Sequence, residues 1–96
     1  MAAYLIGEYT EILDQAAMEA YRRQIMPTLE PYGGTFIVRG GKTVPLEGGW
    51  EPLRLVVIEF PSLDQAQGWY ASDAYRGPME LRQRASRIRL LFVEGM

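Results

Sequence analysis

Cysteine and histidine are both absent from the 96-residue sequence, and these two absences exclude several kinds of site. Without them the chain has no disulfide, no Cys-type or His-type zinc site, no axial-histidine haem, and no Ser-His-Asp or Cys-His nucleophile. A hard cation held by carboxylates would need an acidic cluster such as D-x-D-x-D-G, which the sequence also lacks. We therefore predict no bound metal and no cofactor.

A surplus of basic residues is missing too, because 10 Lys and Arg stand against 12 Asp and Glu. Binders of nucleic acid or anionic membranes need such a surplus, so we predict neither partner. Half of the basic residues fall in one short stretch, where i, i+4 spacing with Glu80 favours a solvated helix face over a nucleic-acid patch. The members of this stretch are Arg76, Arg82, Arg84, Arg87 and Arg89.

Long apolar runs are likewise absent. The first such run is interrupted by Glu8 and has no basic residues before it, so it resembles neither a signal peptide nor a membrane span. The cytoplasm is the location expected by default. We expect one domain over residues 1–96, because a chain of this length has room for a single core.

Two glycine pairs flank the strand-like residues 35–39 in "YGGTFIVRGG". A phosphate-binding glycine loop opens onto a helix, whereas these glycines open onto β-branched and aromatic residues, so they indicate turns. Gly33 is predicted to end a helix that begins after Asp14, with a buried stripe at helical spacing. That stripe consists of Ala17, Tyr21, Ile25, Leu29 and Tyr32.

The remaining elements complete the order β-α-β-β-α-β. Strands are predicted at residues 2–9, 35–39, 53–60 and 87–95, with an irregular glycine-rich loop carrying Trp50 between the second and third. A helix begins at the Ser62-x-x-Gln65 capping box and begins again at Ser72. In this last helical segment the face predicted to be buried comprises Ala74, Leu81, Ala85 and Ile88. The order predicts an α+β, ferredoxin-like fold with a four-stranded antiparallel sheet.

Both faces of the predicted sheet are apolar, although a sheet with helices on one side usually alternates apolar with polar residues. In the third strand Leu55 and Val57 share one face, while Val56, Ile58 and Phe60 occupy the other. The fourth strand repeats this pattern. A helix-free apolar face of this size predicts a homodimer in which two sheets form a dimeric alpha-beta barrel.

Four segments carry a resemblance to a known family: "YGGTFIVRGG", "LEGGWEP", "LVVIEFPSLDQAQGWYASDAY" and the terminal "VEG". Together they resemble domain of unknown function 1330, within the dimeric alpha-beta barrel superfamily, over Tyr4 to Gly95. The resemblance implies this fold and a homodimer, but no established activity. The wider superfamily includes cofactor-free monooxygenases, lactone isomerases, haem-handling proteins and stress-linked dimers, and a shared fold at that level does not decide between chemistries.

Six residues are candidates for a ligand site. Glu59 lies in an otherwise apolar strand, so we expect either a buried ion pair with an arginine such as Arg39 or Arg54, or an acid or base that contacts a ligand. Arg39 is the natural contact for an anion. Three aromatic candidates either belong to the core or line a pocket between sheet and helices: Trp69, Tyr70 and Tyr75. If there is such a pocket, Trp50 covers it as a lid from its loop.

Three functions remain open at this point. The first is a homodimer that binds a small organic molecule, with anions among the options, between sheet and helices. The second is a cofactor-independent enzyme, similar to a monooxygenase or isomerase, in which Glu59 or a tyrosine moves a proton and Arg39 holds negative charge. The third is a structural or regulatory dimer without a ligand site.

Overall fold

The chain forms four strands and three α-helices in the predicted order, as described by a computed structural model that covers residues 1–96. The elements are β1 (Ala3–Ile12), α1 (Gln15–Leu29), β2 (Thr35–Arg39), β3 (Arg54–Phe60), α2 (Leu63–Tyr70), α3 (Asp73–Ala85) and β4 (Ser86–Glu94). A 3-10 turn, Glu30–Tyr32, follows α1. The strands are antiparallel to their neighbours in the order β2-β3-β1-β4. The predicted ferredoxin-like α+β fold is therefore confirmed.

Polar side chains cap all three helices at the predicted starting points. The Asp14 carboxylate accepts from the N–H of Ala17 at 3.0 Å, and the hydroxyls of Ser62 and Ser72 cap α2 and α3 in the same way. At the other end of α1, Gly33 closes the 3-10 turn at φ 71°, a conformation that favours glycine. These local hydrogen bonds fix where each helix begins.

Irregular pairing in two strands changes which side chains face the helices. In β1 the register shifts between Tyr9 and Glu11, and this bulge lets the strand continue to Ile12 instead of ending at Tyr9 as predicted. In β2 the register against β3 shifts between Phe36 and Val38. Because side chains alternate along a strand, this second shift returns Arg39 to the face that carries Phe36.

The core lies between one face of the sheet and the helices. Of the predicted face, Ala85 is buried and Leu81 and Ile88 pack against the core, Ile88 from β4 and not from a helix. Ala74 is exposed, whereas Tyr75 and Arg82 are buried together with Ala85. The indole of Trp69 and the ring of Tyr75 pack with centroids 4.1 Å apart, which turns Tyr75 inward. Since residues seven apart lie on the same side of a helix, Arg82 follows it into the core.

The opposite face of the sheet has no helix against it. Leu55 and Val57 of β3 lie there half-buried, and Leu91 and Val93 of β4 are 56% and 43% exposed. We call this surface the open face. These four residues are apolar, as the strand patterns predict, but Glu8, Glu59 and Arg89 lie on the same face.

Candidate functional site

A cleft opens between the helix-covered face of the sheet and helices α1 and α3. It is open to solvent on one side and has a cavity volume of about 30 Å³, and 11 of its 15 lining residues are hydrophobic. Its apolar wall includes Leu5, Ile25, Phe36, Val56, Ile58 and Leu90. A mostly apolar recess with a few polar groups is the usual form of a small-molecule site.

Two tyrosines and an arginine form the inner end of the cleft. The hydroxyls of Tyr21 and Tyr75 lie 2.7 Å apart, and Nε of Arg82 donates to the Tyr75 hydroxyl at 3.4 Å. All three side chains are buried, and Arg82 is only 3% exposed. Its Nη2 is buried without any hydrogen-bond partner. A guanidinium in this position is unusual, because buried charges are normally paired.

The inner end therefore presents hydrogen-bond donors. Tyr21 and Tyr75 share one hydrogen bond, so one of their two hydroxyl hydrogens remains available to a further acceptor. Burial raises the pKa of Tyr21, and the nearby Tyr75 raises it further, so Tyr21 is neutral at physiological pH. Burial lowers the pKa of Arg82, but Tyr75, Tyr21 and Tyr9 together raise it above its usual value, so the guanidinium stays charged. An acceptor that carries negative charge fits such a site.

Three more arginines line the mouth of the cleft: Arg22, Arg39 and Arg54. No aspartate or glutamate is among the lining residues, and the three ion pairs of the structure lie elsewhere. Burial lowers the pKa of Arg54, and the charges of Arg22 and Arg39 lower it further. The cleft is thus lined by four cations without a protein counter-charge.

The turn predicted at Gly40-Gly41 lies at this mouth, directly after Arg39. Gly40 adopts φ 71° directly after β2, and its N–H donates to the carbonyl of Leu55 at 2.8 Å. A Cβ on Gly40 would meet the guanidinium of Arg54. The positive φ favours glycine at this turn, and any larger residue would also displace the guanidinium of Arg54.

Of the six predicted site residues, Arg39 and Tyr75 lie together in the cleft. Trp69 is fully buried in the core instead, where its Nε1 donates to the hydroxyl of Thr28 at 3.0 Å. Tyr70 is half-buried and packs edge-on against Trp69 and Phe92, outside the cleft lining. These two aromatic residues are part of the packed core.

The other two predicted residues, Glu59 and Trp50, lie on the open side of the sheet. Nε1 of Trp50 donates to the carboxylate of Glu8 at 3.2 Å, so this side chain is not a lid over the cleft. The predicted ion pair of Glu59 with Arg39 or Arg54 is wrong, because both arginines line the cleft on the opposite face. Glu59 instead raises the pKa of Tyr4, by hydrogen bonding and then by charge repulsion.

The sequence interpretation missed the residue at the centre of the inner end. Arg82 was assigned to a solvated arginine-rich face, although its spacing of seven from Tyr75 places both on one side of α3. Tyr21 was predicted as part of the buried stripe of α1, without a polar function. The spacing of Arg82 from Tyr75, which puts an arginine on the same helix face as a tyrosine, is the sequence signal that could have indicated a buried arginine.

No group of three or more Cys, His, Asp or Glu side chains in the structure is arranged to hold a metal ion. None of the helices combines the length and the apolar character that a membrane crossing requires.

Comparison with protein families gives a match over residues 2–96 to the family described as Domain of unknown function (DUF1330). Comparison with curated proteins gives no match. Among solved structures, the chain is similar to RPA0582, a protein of unknown function from Rhodopseudomonas palustris, with 19% identity and a TM-score of 0.78 over 99% of this chain and 82% of that one.

Two further solved structures share the fold. SnoaB, a cofactor-independent oxygenase from Streptomyces nogalater, is 10% identical with a TM-score of 0.70, over 99% of this chain and 93% of that one. A dimeric ferredoxin-like protein of unknown function from Jannaschia sp. CCS1 is 16% identical with a TM-score of 0.66, over 99% and 100% of the two chains. At these identities the similarity concerns the fold.

Proposed function

The chain belongs to the DUF1330 family, and we propose that it is a homodimeric protein that binds a small organic anion in the cleft between sheet and helices. One observation carries the proposal: Arg82 is 3% exposed, charged and lacks a partner for Nη2. The cost of burying such a group is offset when a ligand supplies the missing counter-charge.

The donor pattern narrows the class of ligand. Arg82 can only donate, and the hydroxyl pair of Tyr21 and Tyr75 has one hydrogen to give. An alcohol or amide can also accept these hydrogen bonds but carries no charge to compensate Arg82, whereas a carboxylate or enolate oxygen accepts from every group present and supplies the negative charge. The apolar wall favours a hydrocarbon or aromatic body attached to that oxyanion.

Binding of simple carboxylates tests the proposal. We expect benzoate, hexanoate and octanoate to raise the melting temperature and to give measurable heats in titration calorimetry, whereas benzyl alcohol, a neutral probe, should not. Arg82→Met should abolish carboxylate binding. Arg84→Met is the matched control, because Arg84 lies two positions away on the exposed side of α3. Carboxylates that fail to bind the unaltered protein, or bind Arg82→Met equally well, would contradict the proposal.

The open face supports the homodimer. Leu91 and Val93 project from β4 beside the half-buried Leu55 and Val57 of β3, and an apolar face of this kind commonly marks a subunit interface. A second copy of the chain would cover it symmetrically. Light scattering should give twice the chain mass of 10.9 kDa at micromolar concentration, and a monomer would contradict this part of the proposal. The cytoplasmic location stays a prediction.

A cofactor-independent enzyme is the second candidate, and the inner end of the cleft favours it over a purely structural dimer. The hydrogen donors of Arg82 and Tyr75 could stabilise the enolate of a bound keto acid when hydroxide from the solvent takes the proton from the carbon next to the ketone. Levulinate, a keto acid, provides a test by NMR in D₂O. If the protein is such an enzyme, deuterium should enter the carbons next to the ketone faster with the protein than without it. Tyr75→Phe should then remove the acceleration.

A further inference from the structure

The three arginines at the mouth have a different environment from the buried one at the inner end. Arg22 and Arg54 are half-buried and Arg39 is exposed. The guanidinium of Arg39 lies 4.5 Å from the ring centroid of Phe36, and its Nη1 approaches Sδ of Met26 at 3.8 Å. None of the three takes part in an ion pair. They form a second cationic group, separate from Arg82 and closer to solvent.

Three neighbouring cations without a counter-charge repel one another. Burial lowers the pKa of Arg54 most, and the charges of Arg22 and Arg39 lower it as well. The sequence has 12 acidic residues, more than its basic ones, yet none of them lines this cleft. Residues that repel one another and lack a counter-charge are expected where a ligand supplies it.

The mouth is also connected to a second depression. Arg22 and Arg54 line both the cleft and a shallower groove that continues past Gly40 and Gly41. A group bound between these arginines would therefore remain in contact with solvent, while a group at Arg82 would not. The two cationic sites are joined by the apolar wall of the cleft.

Building on the proposed function, we propose that the ligand is a dianion with an oxyanion at each end of an apolar body. The inner oxyanion accepts hydrogen bonds from Arg82 and from the tyrosine hydroxyl pair. The outer oxyanion lies between Arg22, Arg39 and Arg54, whose guanidinium groups can grip a carboxylate with two parallel hydrogen bonds. The hydrocarbon between the two groups packs against the apolar wall.

Matched mono- and dicarboxylates test this inference. Hexanoate and adipate, and octanoate and suberate, have the same chain length and differ in the second carboxylate. In titration calorimetry we expect the dicarboxylate of the better fitting length to bind about tenfold more tightly than its monocarboxylate partner, as one further charge-assisted contact would give. Because the mouth is open to solvent, this preference should shrink as salt is raised.

Variants at the mouth separate the two ends. Arg54→Gln should reduce the dicarboxylate preference to about twofold, since the outer contact is weakened, and monocarboxylate binding should remain measurable and dependent on Arg82. Arg39→Gln, at an exposed position, provides a second variant that has little effect on folding. Arg23→Gln is the matched control, because Arg23 is the exposed neighbour of Arg22 on α1 and is not among the lining residues.

Each outcome decides the inference. Equal affinities within every matched pair, with monocarboxylate binding still dependent on Arg82, would overturn the dianion and leave the proposed function standing. Loss of monocarboxylate binding in Arg54→Gln, in a protein that remains folded by circular dichroism, would also overturn it, because the two ends would not be separate. The absence of binding by all four acids would overturn both.

Discussion

Replacing Arg82 by methionine should make the protein more stable, although it removes a buried residue that makes a hydrogen bond. Arg82 is 3% exposed, and its Nη2 has no partner. The groups around it that accept hydrogen bonds are tyrosine hydroxyls, and no aspartate or glutamate lines the cleft to supply a carboxylate counter-charge. Methionine retains an unbranched apolar stem that can follow the same path between α3 and the sheet.

The magnitude follows from two opposing contributions. Burial of a charge without an ion partner costs several kcal/mol, and the unpaired Nη2 alone accounts for about 1–3 kcal/mol of that cost. Against it stands the bond from Nε to the Tyr75 hydroxyl, which at 3.4 Å is long and contributes about 1 kcal/mol. The Tyr75 hydroxyl keeps its partner Tyr21 in the variant. We expect a net gain of about 1–2 kcal/mol.

Urea unfolding followed by circular dichroism measures this gain, with both proteins at the same concentration because dimer stability depends on it. For a domain of this size each kcal/mol raises the melting temperature by about 4–8 °C. Arg84→Met, at an exposed position, should change the free energy of unfolding by less than about 0.5 kcal/mol. A loss of 1 kcal/mol or more in Arg82→Met would refute the reasoning, because Arg82 would then be a structural residue.

Three further predictions concern the open face and the paired charges. Hydrogen bonding to Arg89 lowers the pKa of Glu8, so the pair stabilises the fold above the usual pKa of a glutamate and loses this effect as the pH falls. In Glu8→Gln the free energy of unfolding should therefore decrease less between about pH 5 and 3 than in the unaltered protein, and an equal decrease would contradict this. Glu59→Gln and Arg39→Leu should each lower the free energy of unfolding in urea by less than about 1 kcal/mol. Their effects should add in the double variant because the residues lie on opposite faces, and a coupling energy above about 1 kcal/mol would show that they form an ion pair after all. Val57→Asp should disrupt the dimer and cause aggregation that light scattering detects. A dimer of unchanged mass would show that the interface does not include Val57.

Local signals in the sequence were sufficient for the order of elements. Asp14, Ser62 and Ser72 cap helices through hydrogen bonds to residues three positions ahead, so their effect can be recognised without knowledge of the fold. Gly33 closes the turn after α1 for an equally local reason. Alternation along β3 and β4 separated the two faces of the sheet, since that pattern depends on strand geometry alone.

The site depended on features that the sequence does not mark. The bulge between Phe36 and Val38 places Arg39 on the cleft side, whereas regular alternation from Phe36 would put it on the face of Glu59. Tyr75 lies inward because its ring packs on Trp69, and Arg82 follows it on the same side of α3, although hydrophobicity argues against burying an arginine. Both are tertiary effects, and together they decide which cations face the cleft.

The pairing of the first and last strands has a consequence for how the chain folds. β1 lies inside the sheet between β3 and β4, and the paired residues Glu8 of β1 and Arg89 of β4 are 81 residues apart in sequence. A nascent chain therefore releases β1 first but cannot complete the sheet around it until β4 has been synthesised. Folding slows as native contacts become more distant along the chain. A circular permutant that links β4 to β1 and has its new termini in the loop after Gly41 should keep the same sheet. We expect it to refold faster in stopped-flow experiments.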